Sequence, residues 1–234
     1  MTNYELVGRL LHIANDLKTL YVMGGLGYRL DAKGKARAMK YAYNCQPERA
    51  AMIKAASADT WAFDCVCLVK MVINGFTGDK KGTYGGASYG YPVKDVNIRA
   101  ILNNCRKVST DMNDIAIGEF LYLHDHHCGV YVGHGQVVES TPAWGNGVQV
   151  TRLTQRPWKK HGMLKWITYE NEAEDAFPYP QFTDAELAYR VINGYHGNGA
   201  TRKEDLGLRY AAVQKLVNQI LTEGGIVAKW RKEN

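Results

Sequence analysis

Residues 127–140, HCGVYVGHGQVVES, constrain the fold of this chain more than any other stretch. Small and apolar side chains alternate over residues 128–132. Gly133-His134-Gly135 has the composition of a tight turn, and the segment 136–140 reads as a strand again. The pattern predicts a β-hairpin. Successive side chains on a strand point to opposite faces, so His127, Gly129 and Tyr131 share one face and Cys128, Val130 and Val132 the other, apolar one. Glu139 stands on the return strand, on the face of Val137 and Thr141. A further strand is predicted over residues 118–123, GEFLYL, after a glycine turn.

A helix is predicted over residues 64–74. Cys65, Leu68, Val69, Val72 and Ile73 fall on one face at a period of 3.6. Asp64 suits the N-cap and Gly75 the stop. Cys65 then lies in the first turn, where unpaired N–H groups and the helix dipole favour a thiolate. The same position also suits a small buried core residue, the commonest fate of a free cysteine. His127 opens a strand whose small glycines leave room for a substrate. An acid on the next strand could orient its imidazole, the third role in a nucleophile–base–orienter set. His124, His126 and His127 raise a metal site, but alternation separates the first two from the third. No cysteine pair at zinc spacing is nearby, so no metal and no cofactor are expected.

Taken in order, these pieces resemble the NlpC/P60 superfamily of papain-like cysteine peptidases. The residues that carry the resemblance are Tyr21-Val22-Met23-Gly24-Gly25, Phe63-Asp64-Cys65, Gly118-Glu119-Phe120-Leu121, the run 127–133, and Val137-Val138-Glu139-Ser140. The resemblance implies Cys65 as nucleophile, His127 as general base and Glu139 as orienting residue. It implies substrate contacts at Tyr21, Asp64 and Tyr131. Two departures stand out: Val66-Cys67 follows the nucleophile where the family usually has Ser-Gly, and the stretch between Gly25 and Cys65 is long. That stretch holds a basic, helical segment at 33–40 and a second helix at 47–56. It reads either as one wall of the cleft or as a solvated excursion, which is thermodynamically cheap.

Composition changes after Tyr169. An acidic run and Pro178-Tyr179-Pro180 read as a linker over 171–181. Thr183 with Glu186 makes a capping box ahead of a helix carrying Leu187, Val191 and Ile192 inward, ended by Gly194. Two more helices fit 200–206 and 209–221, the last with Val213, Leu216, Val217 and Ile220 inward. The run from Val191 through Asn218 closely resembles the short wall-binding repeat of Cpl-7-type phage lysozymes, with His196 where the family has tryptophan. That resemblance implies muropeptide binding through His196, Asn198, Arg202 and Gln214. Asn198 and Arg202 equally suit caps of the short helices.

The 234 residues leave room for one medium and one small domain. A formal charge of +6 favours anionic surfaces such as bacterial walls. Without a concentrated Lys/Arg stripe or a nucleic-acid-binding motif, nucleic acid is not expected as partner. Five cysteines in no framework spacing indicate a reducing place of synthesis. Residues 1–17 form an amphipathic helix rather than a signal peptide, and no stretch is long enough to insert in a membrane. The expectation is therefore an α+β papain-like domain at 1–170, with an antiparallel sheet packed on helices. A linker, a three-helix bundle at 182–222 and a frayed tail at 223–234 follow. The expected activity is hydrolysis of a stem-peptide amide in peptidoglycan, at the bond between D-glutamate and the diamino acid. Synthesis would be cytoplasmic, with action on the wall after release, as for a phage lysin. An N-acetylmuramoyl-L-alanine amidase, a transferase on the same acyl-enzyme and an inactive wall-binding phage protein are the alternatives. Oligomeric state is left open.

Overall fold

A computed structural model describes residues 1–169, Tyr179 and 182–222. It divides into two compact units, Met1–Glu170 and Asn171–Asn234. The first runs α1 (Asn3–Asp16), β1 (Thr19–Tyr21), β2 (Leu26–Arg29), α2 (Ala32–Ala38), α3 (Pro47–Ala55), β3 (Trp61–Phe63) and α4 (Cys65–Ile73). It continues with α5 (Ile98–Leu102), β4 (Cys105–Ser109), β5 (Phe120–His124), β6 (His127–Gly133), β7 (Gln136–Thr141), β8 (Gly147–Arg152) and β9 (Lys160–Leu164). The second unit holds α6 (Asp184–Ile192), α7 (Gly199–Leu206) and α8 (Tyr210–Thr222). No helix among the described residues is long and apolar enough to cross a membrane.

The predicted hairpin is β6–β7, with Val130 opposite Val138 and Tyr131 opposite Val137. It sits inside a six-stranded antiparallel sheet of order β4-β9-β5-β6-β7-β8. Beside it, β3 is paired in parallel to β1 and antiparallel to β2. The apolar face of the hairpin, Cys128, Val130 and Val138, is fully buried with Leu6, Leu10, Leu68 and Val72 from α1 and α4. Each such leucine contributes about 2 kcal/mol by leaving water. The class is thus the expected mixture of helices and antiparallel sheet.

The long stretch ahead of Cys65 is tied into the fold by buried polar groups. Asn44, with no exposed surface, donates from Nδ2 to the Met23 and Ala38 carbonyls and accepts from the Met23 N–H at 3.0 Å. Arg49, on α3, is buried, donates to the Tyr21 carbonyl, and reaches Asn146 Oδ1 at 2.6 Å. A solvated excursion would carry no such buried pins, so this segment forms part of the wall beside Tyr21.

In the second unit the capping box of Thr183 and Glu186 opens α6. Leu187, Val191, Leu206, Val213 and Val217 form its buried core. Tyr179 joins that core, its hydroxyl donating to Asp205 and its carbonyl accepting from Arg209. Proline neighbours suggested a linker at this tyrosine, yet a large ring finds more apolar surface in the small bundle than in water. The rest of the expected linker, and the tail at 223–234, lie outside the described residues.

Candidate active site

The loop that delivers Cys65 is fixed from three directions. The Phe63 carbonyl accepts from Val22 N–H at 3.0 Å and from Ser140 Oγ on β7 at 2.9 Å. Asp64 is the N-cap of α4, its Oδ1 accepting from Cys67 N–H at 2.7 Å. Its Oδ2 accepts from Gly24 N–H at 3.0 Å and from the Cys67 thiol at 3.1 Å. Burial, then the charge on Cys65, pushes the Asp64 carboxyl up to about 6 against the bonds from Cys67. Both oxygens serve the chain's own turn and helix, and the side chain is buried.

Cys65 occupies the first position of α4. A hydrogen bond from the Cys128 thiol lowers its pKa most. Burial opposes this, and the hydrogen bond and charge of His127 add to the lowering. The net direction is well below an ordinary thiol, which favours the thiolate, and the sulfur lies 3.7 Å from the His126 carbonyl oxygen. Burial alone would lower His127, but its bonds to Cys65 and Glu139 outweigh burial and raise it. The two shifts are reciprocal, each group favouring the charged form of the other.

His127 Nε2 pairs with Glu139 Oε2, which leaves Nδ1 for the thiolate. Glu139 has no exposed surface. Three groups hold it: His127, Thr151 Oγ1 at 2.6 Å on Oε1, and Arg156 Nε at 2.7 Å on Oε2. Burial would raise its pKa, yet these partners bring it below that of an ordinary glutamate, so it stays a carboxylate. Arg156 is itself braced by Thr141 Oγ1 at 2.9 Å and lies over the Trp144 ring at 4.7 Å. Trp158 stacks on His127, ring centroids 5.8 Å apart and planes 24° apart. A Cβ on Gly129 would stand 2.7 Å from Val137 and 3.3 Å from Trp158. The space beside this glycine is thus filled by the indole, not left open for a substrate as the sequence suggested. A planar ring packed on the imidazole fixes its tilt, which a glycine in the strand makes sterically possible.

The structure brings Cys65, His127, Glu139, Asp64 and Tyr21 together. Tyr21 ends β1, and burial followed by the charges of Cys65 and Asp64 raises its phenol pKa. Tyr131 is placed elsewhere. It lies four residues past His127, about 13 Å along the strand. There it packs against the cluster of Leu121, Leu123, Val137 and Trp158, and its hydroxyl accepts from Gly135 N–H at 3.2 Å. Its hydroxyl is thus engaged at the turn, and its ring shares a cluster with the indole that stacks on His127.

Of the four residues assigned to the repeat, His196 is buried at 2% exposure. Its Nδ1 pairs with Asp205 at 2.7 Å and its ring meets Tyr179 edge-on at 4.7 Å. A side chain so enclosed offers no stacking face, which corrects its expected role at the surface. Asn198 is the exposed N-cap of α7, without a side-chain cap bond. Arg202 donates to the Gly197 carbonyl and, at 3.0 Å, to Gln214 Oε1. Arg202 and Gln214 thus form one half-exposed polar pair.

Thr151, Arg156 and Trp158 were not legible in advance. Thr151 sits on β8 opposite Val137, so only the register of a strand without a turn motif could have found it. Arg156 and Trp158 follow a single helical turn and carry no periodic signal.

Comparison with known families and proteins places two matches on the chain. The NlpC/P60 family model matches residues 39–166, more than half of the chain. The CW_7 repeat model matches residues 185–221. Among curated proteins, the "Probable endopeptidase YafL" of Escherichia coli (strain K12) is 38% identical over 66 residues. That stretch is 25% of this chain and 26% of the relative, so the chain spans about a quarter of its length. Among solved structures, NlpC1 from Trichomonas vaginalis is 15% identical with a TM-score of 0.38, covering 70% of this chain and 44% of that one. The P60 domain of M. avium subspecies paratuberculosis antigen MAP1204 is 13% identical with a TM-score of 0.40, covering 71% and 98%.

Proposed function

The chain belongs to the NlpC/P60 family and carries a CW_7 repeat, and from that premise we propose that it is a peptidoglycan hydrolase that cuts a stem-peptide amide through Cys65. The observation that carries this reading is the meeting of Cys65 at the start of α4 with His127 on β6, whose Nε2 pairs with the buried Glu139, and the charges of thiol and imidazole favour each other. The Cys65 thiolate attacks the amide carbonyl. Backbone N–H groups at the start of α4, including that of Cys65, face the developing oxyanion. His127 gives its proton to the leaving amine, and the acyl-enzyme remains. Water, deprotonated by the now neutral His127, attacks the thioester and restores the thiolate. Glu139 keeps the imidazole in its working tautomer throughout.

The bond proposed is that between D-glutamate and the diamino acid. Mass spectrometry of digested purified peptidoglycan tests it. New amino termini on the diamino acid are expected. Release of intact stem peptides, with a free lactyl carboxyl on muramic acid, would replace the endopeptidase with an amidase. No product from several wall types would remove the hydrolase reading.

The CW_7 repeat is proposed to retain the enzyme on the wall, with Asn198, Arg202 and Gln214 supplying polar contacts. A chain ending at residue 170 is therefore expected to lose most of its sedimentation with insoluble wall. Its cleavage of a small soluble muropeptide should change less than about twofold, because no group of the candidate site is removed. Equal losses in both assays would contradict a separate binding role.

A further inference from the structure

The segment around α2 and the loop at 80–83 border a cavity of about 200 Å3 outside the Cys65 site. Its wall carries five basic side chains, Arg29, Lys33, Arg37, Lys80 and Lys81, and one acid, Asp31. Asp31 is already engaged: its Oδ1 accepts from Gly34 N–H at 2.9 Å and its Oδ2 lies 3.8 Å from Arg29. Lys33, Lys80 and Lys81 are exposed, and their ammonium groups meet no partner among the described residues. Like charges gathered on one small surface repel, and the fold gains no internal pairing from these three.

Arg37 is held more firmly. Its guanidinium lies 4.9 Å from the Tyr28 ring and 5.1 Å from the Tyr84 ring, and Nη1 donates to the Tyr84 hydroxyl at 3.1 Å. Such a fixed planar fork suits a multi-oxygen anion. Tyr28 contributes to the same wall, and its buried hydroxyl has no hydrogen-bond partner. A buried hydroxyl left unpaired is costly and normally finds an acceptor. The close approach that gathers these groups depends on Gly34, where a Cβ would fall 1.8 Å from the Arg29 carbonyl oxygen. Glycine at this point lets α2 press onto the end of β2 and sets Lys33 and Arg37 beside Arg29.

We propose that this cavity binds a phosphate group, as a free phosphate or as one unit of a phosphate-linked polymer. One carboxylate would offset a single cation. A free phosphate offers more oxygens and, as a dianion, twice the charge; a unit inside a polymer carries one charge, and its successive units engage Lys80 and Lys81 together. The site is independent of the hydrolytic reading, because no group of the Cys65 site takes part.

Calorimetric titration of the full chain with inorganic phosphate and with short polyphosphate tests the proposal. Saturable binding of at least one of them is expected, weakened by added salt. Lys33→Ala, Lys80→Ala and Lys81→Ala combined should weaken it by about tenfold or more, on the worth of charge-assisted hydrogen bonds. A control with Lys54→Ala, Lys94→Ala and Lys203→Ala, three exposed lysines elsewhere, removes the same charge and should change affinity less than about twofold. Polyphosphate binding more tightly than phosphate, per phosphate unit, supports the polymer as ligand, and equal binding supports the free ion. Equal weakening by both triple variants would overturn the proposal in favour of net charge alone. Absence of saturable binding of either phosphate, or polyglutamate bound as tightly as polyphosphate, would also overturn it.

Discussion

Cys65→Ala is expected to lower hydrolysis of a soluble muropeptide by about 10,000-fold or more, while sedimentation with insoluble wall stays unchanged. The size of the effect follows from the absence of a substitute thiol. Cys67 is two residues away, but burial, then the Asp64 carboxylate to which it donates, raises its pKa far above neutrality. Cys128 also faces Cys65, and burial, followed by its interaction with Cys65, raises its pKa well above that of an ordinary thiol. A protonated, buried thiol attacks carbonyls poorly, since the thiolate is the nucleophile. Alkylation with iodoacetamide near pH 6, mapped by mass spectrometry, should therefore mark Cys65 ahead of Cys67 and Cys128. Turnover retained in Cys65→Ala would remove the nucleophile assignment. Rapid alkylation of Cys128 in the native chain would contradict the proton placement between the two thiols.

The parts of the site that could be read from the sequence are those written in local periodicity. The hairpin at 127–140 and the helix opened by Asp64 repeat every two or 3.6 residues, so their faces follow from the letters. Cys65, His127 and Glu139 each sit at a defined point of such an element, and the fold brings the three together. What was not legible has no local period. The strands of the small sheet are three or four residues long, too short to show alternation. Their existence depends on pairing across some forty residues, as between Tyr21 and Phe63. Arg156 is unreadable for the same reason: an arginine after a single turn usually faces water, and only the folded sheet sets its guanidinium against Glu139. His196 shows the opposite failure. A polar residue in a recognised repeat suggests a surface contact, yet Asp205 satisfies one ring nitrogen, and the ring packs into the small core.

Glu139→Gln and Arg156→Ala are expected to move the alkaline limb of the kcat/KM–pH profile in opposite directions. The active form needs Cys65 as thiolate and His127 as imidazolium. It exists above the lowered pKa of Cys65 and is lost as pH rises through the raised pKa of His127. Glu139 supplies part of what raises His127. Its replacement by a neutral amide lets the imidazolium lose its proton at lower pH. The weaker imidazolium then supports the thiolate less, so the acid limb moves up and the active window narrows from both sides. With the tautomer also less well held, the maximum should fall by about 100- to 10,000-fold. Arg156 acts through Glu139: it shares Oε2 with His127 and lowers the carboxyl pKa. Removing that competing cation leaves more of the carboxylate's charge to His127, which then keeps its proton to higher pH. Thr151 still holds Oε1, so the maximum should fall by only about tenfold or less. A merely structural arginine would lower the maximum without moving the limb. Shifts of both variants in the same direction, or a fixed limb in both, would sink the assignment of Glu139 as the group that sets the imidazole's charge. Opposed shifts are hard to obtain in any other way, because general destabilisation of the fold has no reason to change sign between two residues that share one oxygen.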